Sequence, residues 1–304
     1  MKATVIGAGA WGTALSVLIA KGGNDVVMRS HDLELAEYIE KNRENPRLSG
    51  VKIPENVRVT VDLDDFADSD VWLVAVPAEF FRENLKKCGP FWKGQPIIIC
   101  TKGMEAETGK FMSEVVEEEL NEADGENPKF GILSGPQFSD EVAHGVPTGS
   151  TLAGPDAVFK AAQRMLHGLY LEHTNDIIGA EVCGTGKNAI AILAGFMDAQ
   201  GRGENEKAMN ITLAWNEIVG LGLEMGAKIE TFLKLCGLGD LLLSATSKTS
   251  RNFAAGMSLG RGEPLADKTT EGISAVYGLI NRAAEHNFQM PILGNIRAII
   301  DKNS

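Results

Sequence analysis

Hydrophobic and polar positions fall into two textures along this chain. From the start to about residue 178, short apolar runs alternate with amphipathic stretches. Ala3-Thr4-Val5-Ile6 is apolar and β-branched and predicts a strand. Gly7-Ala8-Gly9-Ala10-Trp11-Gly12 follows as a turn, and Thr13–Ala20 predicts an apolar helix. Gly22-Gly23-Asn24 ends that helix, and Asp25–Met28 predicts a second strand. Leu33–Lys41 reads as a polar helix, Asn45–Asn56 as loop and Val57–Thr60 as strand. Val71–Val76 is continuously apolar, the pattern of a strand covered on both faces, and Pro77 stops it. Glu79–Lys87 predicts a helix, Ile97–Cys100 a buried strand and Phe111–Leu120 an amphipathic helix. Phe130–Ser134, Thr151–Ala153 and Leu169–Glu172 predict further strands around a helix at Ala157–Leu166. This alternation implies an α/β, doubly wound, mostly parallel sheet flanked by helices.

Beyond residue 178 the strand signals vanish. Gly179–Gln200 is rich in Ala, Ile and Gly at helical spacing, and Glu204–Met225 is a second long helical stretch. Shorter helices are expected around Thr231–Cys236, Asn252–Leu259, Ser274–His286 and Ile292–Ile300. The expected division is residues 1–178 as one domain and 179–304 as an all-α domain, with a substrate at the seam. A chain of 304 residues is long enough for both. Its net charge of −12 argues against nonspecific binding to nucleic acid or an anionic membrane surface. An anionic ligand must then be held by locally placed Lys and Arg. Cys88, Cys100, Cys183 and Cys236 are scattered, so neither disulfides nor a metal site is expected, and a reducing cytoplasm fits. No stretch approaches the roughly 18 apolar residues of a membrane helix, and the early glycines and Trp11 interrupt any resemblance to a secretion signal.

The first turn has the spacing G-x-G-x-x-G between a strand and a helix, which is the context a dinucleotide requires. Gly7 would allow the tight turn, Gly9 the approach of a pyrophosphate, and Gly12 close packing of helix on strand. The helix start offers free N–H groups and a positive dipole end. After the second strand stands Arg29-Ser30-His31, with no acid for a ribose 2′-hydroxyl. That favours a 2′-phosphate, hence NADPH with NADH also accommodated, over Arg29 and His31 as ordinary surface residues.

Five further stretches carry candidate chemistry. Lys102, in Thr101-Lys102-Gly103, follows a strand and either meets a phosphate or carbonyl oxygen or is a solvated lysine. The loop Ser134-Gly135-Pro136-Gln137-Phe138-Ser139 either offers N–H groups to an anionic substrate at the next helix start or is a plain loop. Lys187, beside Asn188, lies in an otherwise apolar helical run. Burial lowers a lysine pKa, which suits proton exchange near neutrality better than a lysine that snorkels out. Asp240, in Gly237-Leu238-Gly239-Asp240-Leu241, either caps a helix, accepts from a substrate hydroxyl or orients Lys187. Ser250 can cap a helix beginning near Arg251, where Arg251 and Asn252 add donors that suit a phosphate.

Together these blocks resemble the bacterial-type NAD(P)-dependent glycerol-3-phosphate dehydrogenases. The likeness runs in order from Gly7 to about Pro291 and includes Lys187-Asn188, Ser250-Arg251-Asn252 and Glu271-Gly272. It implies a Rossmann domain followed by a helical domain like that of 6-phosphogluconate dehydrogenase. It implies reversible reduction of dihydroxyacetone phosphate to sn-glycerol 3-phosphate, a glycerophospholipid precursor. Lys187 falls on the family's proton donor and acceptor. Lys102, Gly135, Asp240, Ser250, Arg251 and Asn252 fall on substrate positions, where Gln137 is also a candidate. Ala10, Trp11, His31, Lys102, Ser139, Arg251 and Glu271 fall on cofactor positions. Three departures stand out: Gln137 and Ser139 replace a small hydroxyl residue and Ala, Leu213-Ala214-Trp215 replaces Thr-Arg-Gly, and the chain ends at Ser304.

The expected mechanism makes Lys187 the general acid, with Lys102 and Asp240 arranging the charges and Arg251 and Asn252 holding the phosphate. Lys187 and Arg251 are both expected to face the crevice opposite the first glycine turn. The expected partners are a small phosphorylated substrate and a second copy of the chain, with neither nucleic acid nor membrane insertion. Two rival readings remain: a two-domain dehydrogenase of a non-phosphorylated hydroxy or keto acid, and a non-catalytic nucleotide sensor.

Overall fold

The computed structural model describes residues 1–66, 68–120, 127–264 and 271–303. The chain forms two compact units. The first comprises Met1–Thr101, Met112–Leu133 and Gln137–Asn175; the second comprises Asp176–Ser304 together with Lys102–Phe111 and Ser134–Pro136.

The first unit is built on an eight-stranded sheet. Its elements are β1 (Lys2–Ile6), α1 (Ala10–Lys21), β2 (Asp25–Arg29), α2 (Leu33–Asn42), β3 (Val57–Thr60), β4 (Val71–Val74), α3 (Phe81–Cys88), β5 (Ile97–Ile99), α4 (Met112–Glu119), β6 (Phe130–Ser134), α5 (Ser139–His144), β7 (Thr148–Ala153), α6 (Asp156–Met165) and β8 (Leu169–Thr174). The strand order is β3-β2-β1-β4-β5-β6-β7-β8. Pairing is parallel from β3 through β6, and again between β7 and β8. The chain reverses direction across the sheet between β1 and β4, the switch point at which open α/β sheets bind ligands. Ile97, Ile98 and Ile99 are all fully buried, as a strand covered on both faces requires. β4 ends at Val74 rather than at Val76, which leaves Ala75 and Val76 in the turn beside Gly7.

The second unit is helical: α7 (Ile177–Ala199), α8 (Glu204–Glu224), α9 (Ile229–Phe232), α10 (Asp240–Thr246), α11 (Arg251–Arg261), α12 (Glu271–Glu285) and α13 (Pro291–Asn303). Helix α7 begins at Ile177 because Asp176 caps it, its Oδ1 accepting from the Gly179 N–H at 2.9 Å. The rest of α7 is buried almost all round and forms the middle of this unit. It is also long and apolar enough to cross a membrane, contrary to the sequence expectation, but 83% of its apolar window is buried inside the protein. The single helix expected around Thr231–Cys236 is interrupted. After α9 the chain makes a π-helical turn over Leu235–Gly239 and runs directly into α10.

Candidate functional site

The three glycines of the first turn do different things, each fixed by local sterics. Gly7 has φ of 118°, and a Cβ there would lie 2.6 Å from the Ala75 carbonyl oxygen. A Cβ on Gly12 would lie 1.9 Å from the Gly7 carbonyl oxygen, so helix α1 can sit on the turn only with glycine at that position. Gly9, the N-cap of α1, has nothing within 4 Å of its missing Cβ and no acidic residue in the turn that follows. This open face at a helix start suits an anion. Beside it is a cavity of about 470 Å³ whose lining includes Gly7, Gly9, Arg29, His31, Arg47 and Asn84. Asn45 ties the Arg47 loop to the glycine turn: its Nδ2 donates to the Ala8 carbonyl at 3.1 Å and to Thr13 Oγ1 at 2.7 Å.

In the helical unit, two lysines converge on one carboxylate. Asp240 is 1% exposed, yet it does not cap α10; it is the helix's first residue, delivered by the π turn. Its Oδ1 lies 3.0 Å from Lys187 Nζ and its Oδ2 2.6 Å from Lys102 Nζ. Lys187 Nζ also donates to Ser244 Oγ at 2.9 Å, and Lys102 Nζ to the Gly135 carbonyl at 3.1 Å. Burial holds the Lys187 pKa below its ordinary value; Asp240 opposes that and Lys102 adds to it. Close approach is again secured by glycine. A Cβ on Gly186 would strike Ile218, and one on Gly184 would press on Ser134 Oγ.

A second polar group lies along the same helix. Asn252 Nδ2 donates to Asn188 Oδ1 at 2.8 Å, and Asn252 Oδ1 accepts from the Gly272 N–H at 3.0 Å. Asn188 Nδ2 in turn reaches Glu271 Oε2 at 3.5 Å. Ser250 caps α11, accepting from the Phe253 N–H at 3.4 Å. Arg251, unlike the two lysines, is exposed. Its side chain is 82% exposed and lies 3.9 Å from Glu271.

The family profile described as NAD-dependent glycerol-3-phosphate dehydrogenase N-terminus matches residues 2–159, and the corresponding C-terminus profile matches residues 176–304. The chain belongs to this family. It is 41% identical to the glycerol-3-phosphate dehydrogenase of Bradyrhizobium sp. strain ORS 278 over 97% of this chain and 90% of that protein. It is 42% identical to that of strain BTAi1, covering 97% and 91%. The crystal structure of glycerol-3-phosphate dehydrogenase from Coxiella burnetii superposes with a TM-score of 0.92 at 29% identity, over 100% of this chain and 95% of that one. The chain is therefore an NAD(P)-dependent oxidoreductase, with the Rossmann sheet and helical unit expected of it.

In this dehydrogenase the predicted residues fall into separate sets. Gly7, Gly9, Arg29 and His31 share the cavity of the sheet unit. Ala10 and Trp11 open α1, and half-buried Ser139 opens α5. Lys102, Gly135, Lys187 and Asp240 form the lysine–aspartate group, while Ser250, Asn252 and Glu271 belong to the polar group beside it. Gln137 has both amide atoms buried without a protein partner. Sequence reasoning missed Ser244, Arg47, Asn84 and Lys87. Ser244 lies one helical turn after Asp240, so the spacing alone pointed to it once the helix was known.

Proposed function

We propose that this chain reduces dihydroxyacetone phosphate reversibly to sn-glycerol 3-phosphate at the expense of NAD(P)H, providing a glycerophospholipid precursor in the cytoplasm. The observation that carries the reading is the buried Lys187 ammonium held between Asp240 and Ser244. The residues around the glycine turn fit the dinucleotide: a turn that only Gly7 can make, an open face at Gly9 and the N–H groups of α1. When bound, that group supplies the hydride.

The chain's own residues do the rest. Lys187 gives its proton to the alkoxide oxygen forming at C2 of the substrate, and takes it back in the reverse direction. A pKa held down by burial makes the ammonium a better acid, and Asp240 keeps it charged enough to have a proton to give. Lys102, on the other oxygen of Asp240, presents positive charge to the substrate oxygens and fixes the carboxylate. Arg251 and the N–H groups that open α11 hold the phosphate, and Asn252 and Ser250 keep that helix start in place. Gly135 and Gln137 complete the substrate loop, and Trp11, Ser139 and Glu271 flank the cofactor. Phosphate binding remote from the reacting carbon positions the carbonyl.

In this reading residues 1–178 are the cofactor domain and residues 179–304 the substrate domain, in a cytoplasmic homodimer without membrane insertion. The four cysteines are buried and none is joined in a disulfide, which supports the reducing location. The test mixes purified protein with NADPH or NADH and either dihydroxyacetone phosphate or dihydroxyacetone, and follows loss of reduced-nicotinamide absorbance. Oxidation dependent on the phosphorylated ketone is expected. Equal rates with both ketones would favour a non-phosphorylated substrate, and cofactor binding without turnover would favour a sensor.

A further inference from the structure

The cavity at the glycine turn carries more positive charge than hydride transfer requires. Arg29, the last residue of β2, is only 7% exposed. Its Nη1 donates to Asn84 Oδ1 at 2.5 Å, while its Nε is buried without a protein partner. Asn84 is itself oriented: its Nδ2 donates to the Phe80 carbonyl at 2.8 Å, one turn back, which leaves Oδ1 for the arginine. One edge of the guanidinium is thus fixed, and the remaining donors are preset in a planar fork.

The carboxylates are placed the other way. The acid nearest in sequence to the end of β2 is Asp32, but its Oδ1 accepts from the Leu35 N–H at 3.1 Å and caps α2. Glu83 does line the cavity, and Lys87 Nζ already holds it at 2.5 Å. Its carboxyl is kept below the usual range by Lys87 first, with Arg29 and His31 contributing. Arg29, Arg47 and Lys87 therefore line the cavity against one carboxylate, Glu83, which Lys87 already holds. A ribose 2′-hydroxyl finds no free acid there, whereas a 2′-phosphate finds a prepared fork.

We propose that Asn84 is a positioning residue for cofactor selection: it aims Arg29 at the 2′-phosphate of NADPH, so that the cavity takes the 2′-phosphorylated dinucleotide in preference to NADH. The proposal rests on the cavity being the dinucleotide site. Removing Asn84 keeps every cation and releases only the aim, so a role in positioning separates from a role in charge.

The test is calorimetric titration of the full chain and of Asn84→Ala with adenosine 2′,5′-bisphosphate and with 5′-AMP. The parent chain is expected to bind the bisphosphate at least about tenfold more tightly. In Asn84→Ala the bisphosphate should weaken by roughly five- to tenfold with 5′-AMP unchanged, in step with a higher KM for NADPH and unaltered kcat. A parent chain that binds neither fragment overturns the cofactor reading of the cavity and this proposal with it. Equal binding of the two fragments by the parent overturns the selectivity alone. A selective parent with an equally selective Asn84→Ala overturns the role of Asn84 and leaves the cofactor site standing.

Discussion

Asp240→Asn removes the one negative charge on which two ammoniums converge. At an effective dielectric of about 20, a contact of 3.0 Å such as that with Lys187 has a Coulomb ceiling of about 5–6 kcal/mol. The net loss is smaller, because the amide oxygen still accepts one hydrogen bond and water relaxes around the rest. Breaking one partner of a buried pair costs about 3–5 kcal/mol, and that is the destabilisation expected near neutral pH. Lys187 is the group that responds. Burial already favours its neutral form, and without Asp240 the charge of Glu271 is left to oppose burial and Lys102.

A lysine whose folded pKa lies below its unfolded value binds fewer protons folded than unfolded across that interval, so stability rises with pH there. In Asp240→Asn the interval opens at lower pH. The deficit against the parent should therefore be largest at neutral pH and narrow toward the ordinary lysine value of 10.5. Ketone reduction needs the ammonium, so the alkaline limb of kcat/KM should move to lower pH. Urea denaturation at several pH values and a pH–rate profile measure both effects. A variant as stable as the parent at neutral pH, with its alkaline limb unmoved, would refute the claim that Asp240 holds and tunes Lys187.

Other substitutions isolate other parts. Lys187→Met keeps the bulk of the stem and removes the acid, so turnover should fall by roughly 10²–10⁴ while NADPH binding, followed by fluorescence, holds. Arg251→Ala should raise the KM for dihydroxyacetone phosphate by roughly tenfold or more with little change in kcat, since the proposed phosphate contact goes along with an exposed 3.9 Å contact to Glu271; unchanged Michaelis constants would remove it from the site. Gly12→Ala drives a Cβ into the Gly7 carbonyl and should cost about 1–3 kcal/mol and most dinucleotide affinity, read by thermal melting with and without NADPH. Glu217 accepts from the Ile292 and Leu293 N–H groups at 2.7 and 3.1 Å and so caps α13, so Glu217→Ala should lose about 1–2 kcal/mol in urea denaturation. Because burial raises the Glu217 pKa, the parent should also gain a little stability as pH falls through that carboxyl's titration, and the alanine variant should not.

What the sequence makes legible is what local sterics and burial write into it. The glycine turn could be read because each of its glycines answers a separate local constraint. The strands could be read because burial on both faces leaves unbroken apolar runs, such as Ile97–Ile99. Lys187 stood out because a charge in an apolar helix has to be accounted for. Asn84, Arg47 and Lys87 could not be found this way. They belong to a helix and a loop that only the crossover topology brings to β2, and each reads as an ordinary solvated side chain in its own stretch. Lys187 and Arg251, both expected to face the crevice opposite the glycine turn, differ in their surroundings. One is buried against Asp240, and the other is exposed beside Glu271.

The Gly237-Leu238-Gly239-Asp240 block shows why a motif can be right about place and silent about cause. Its glycines look like a ligand loop, yet a Cβ on Gly237 would lie 2.3 Å from the Phe232 carbonyl oxygen, so that glycine serves packing. The π turn over Leu235–Gly239 inserts a residue's worth of rotation between α9 and α10, and such insertions cluster at functional sites. After it, the Asp240 carboxylate is turned inward, 1% exposed, onto the one face of α7 that carries a lysine. The surroundings of Lys187 are thus set by the backbone turn just before α10, and substituting Gly237 should disturb the Lys187–Asp240 contact without touching any charged group, read as a shifted alkaline limb of kcat/KM.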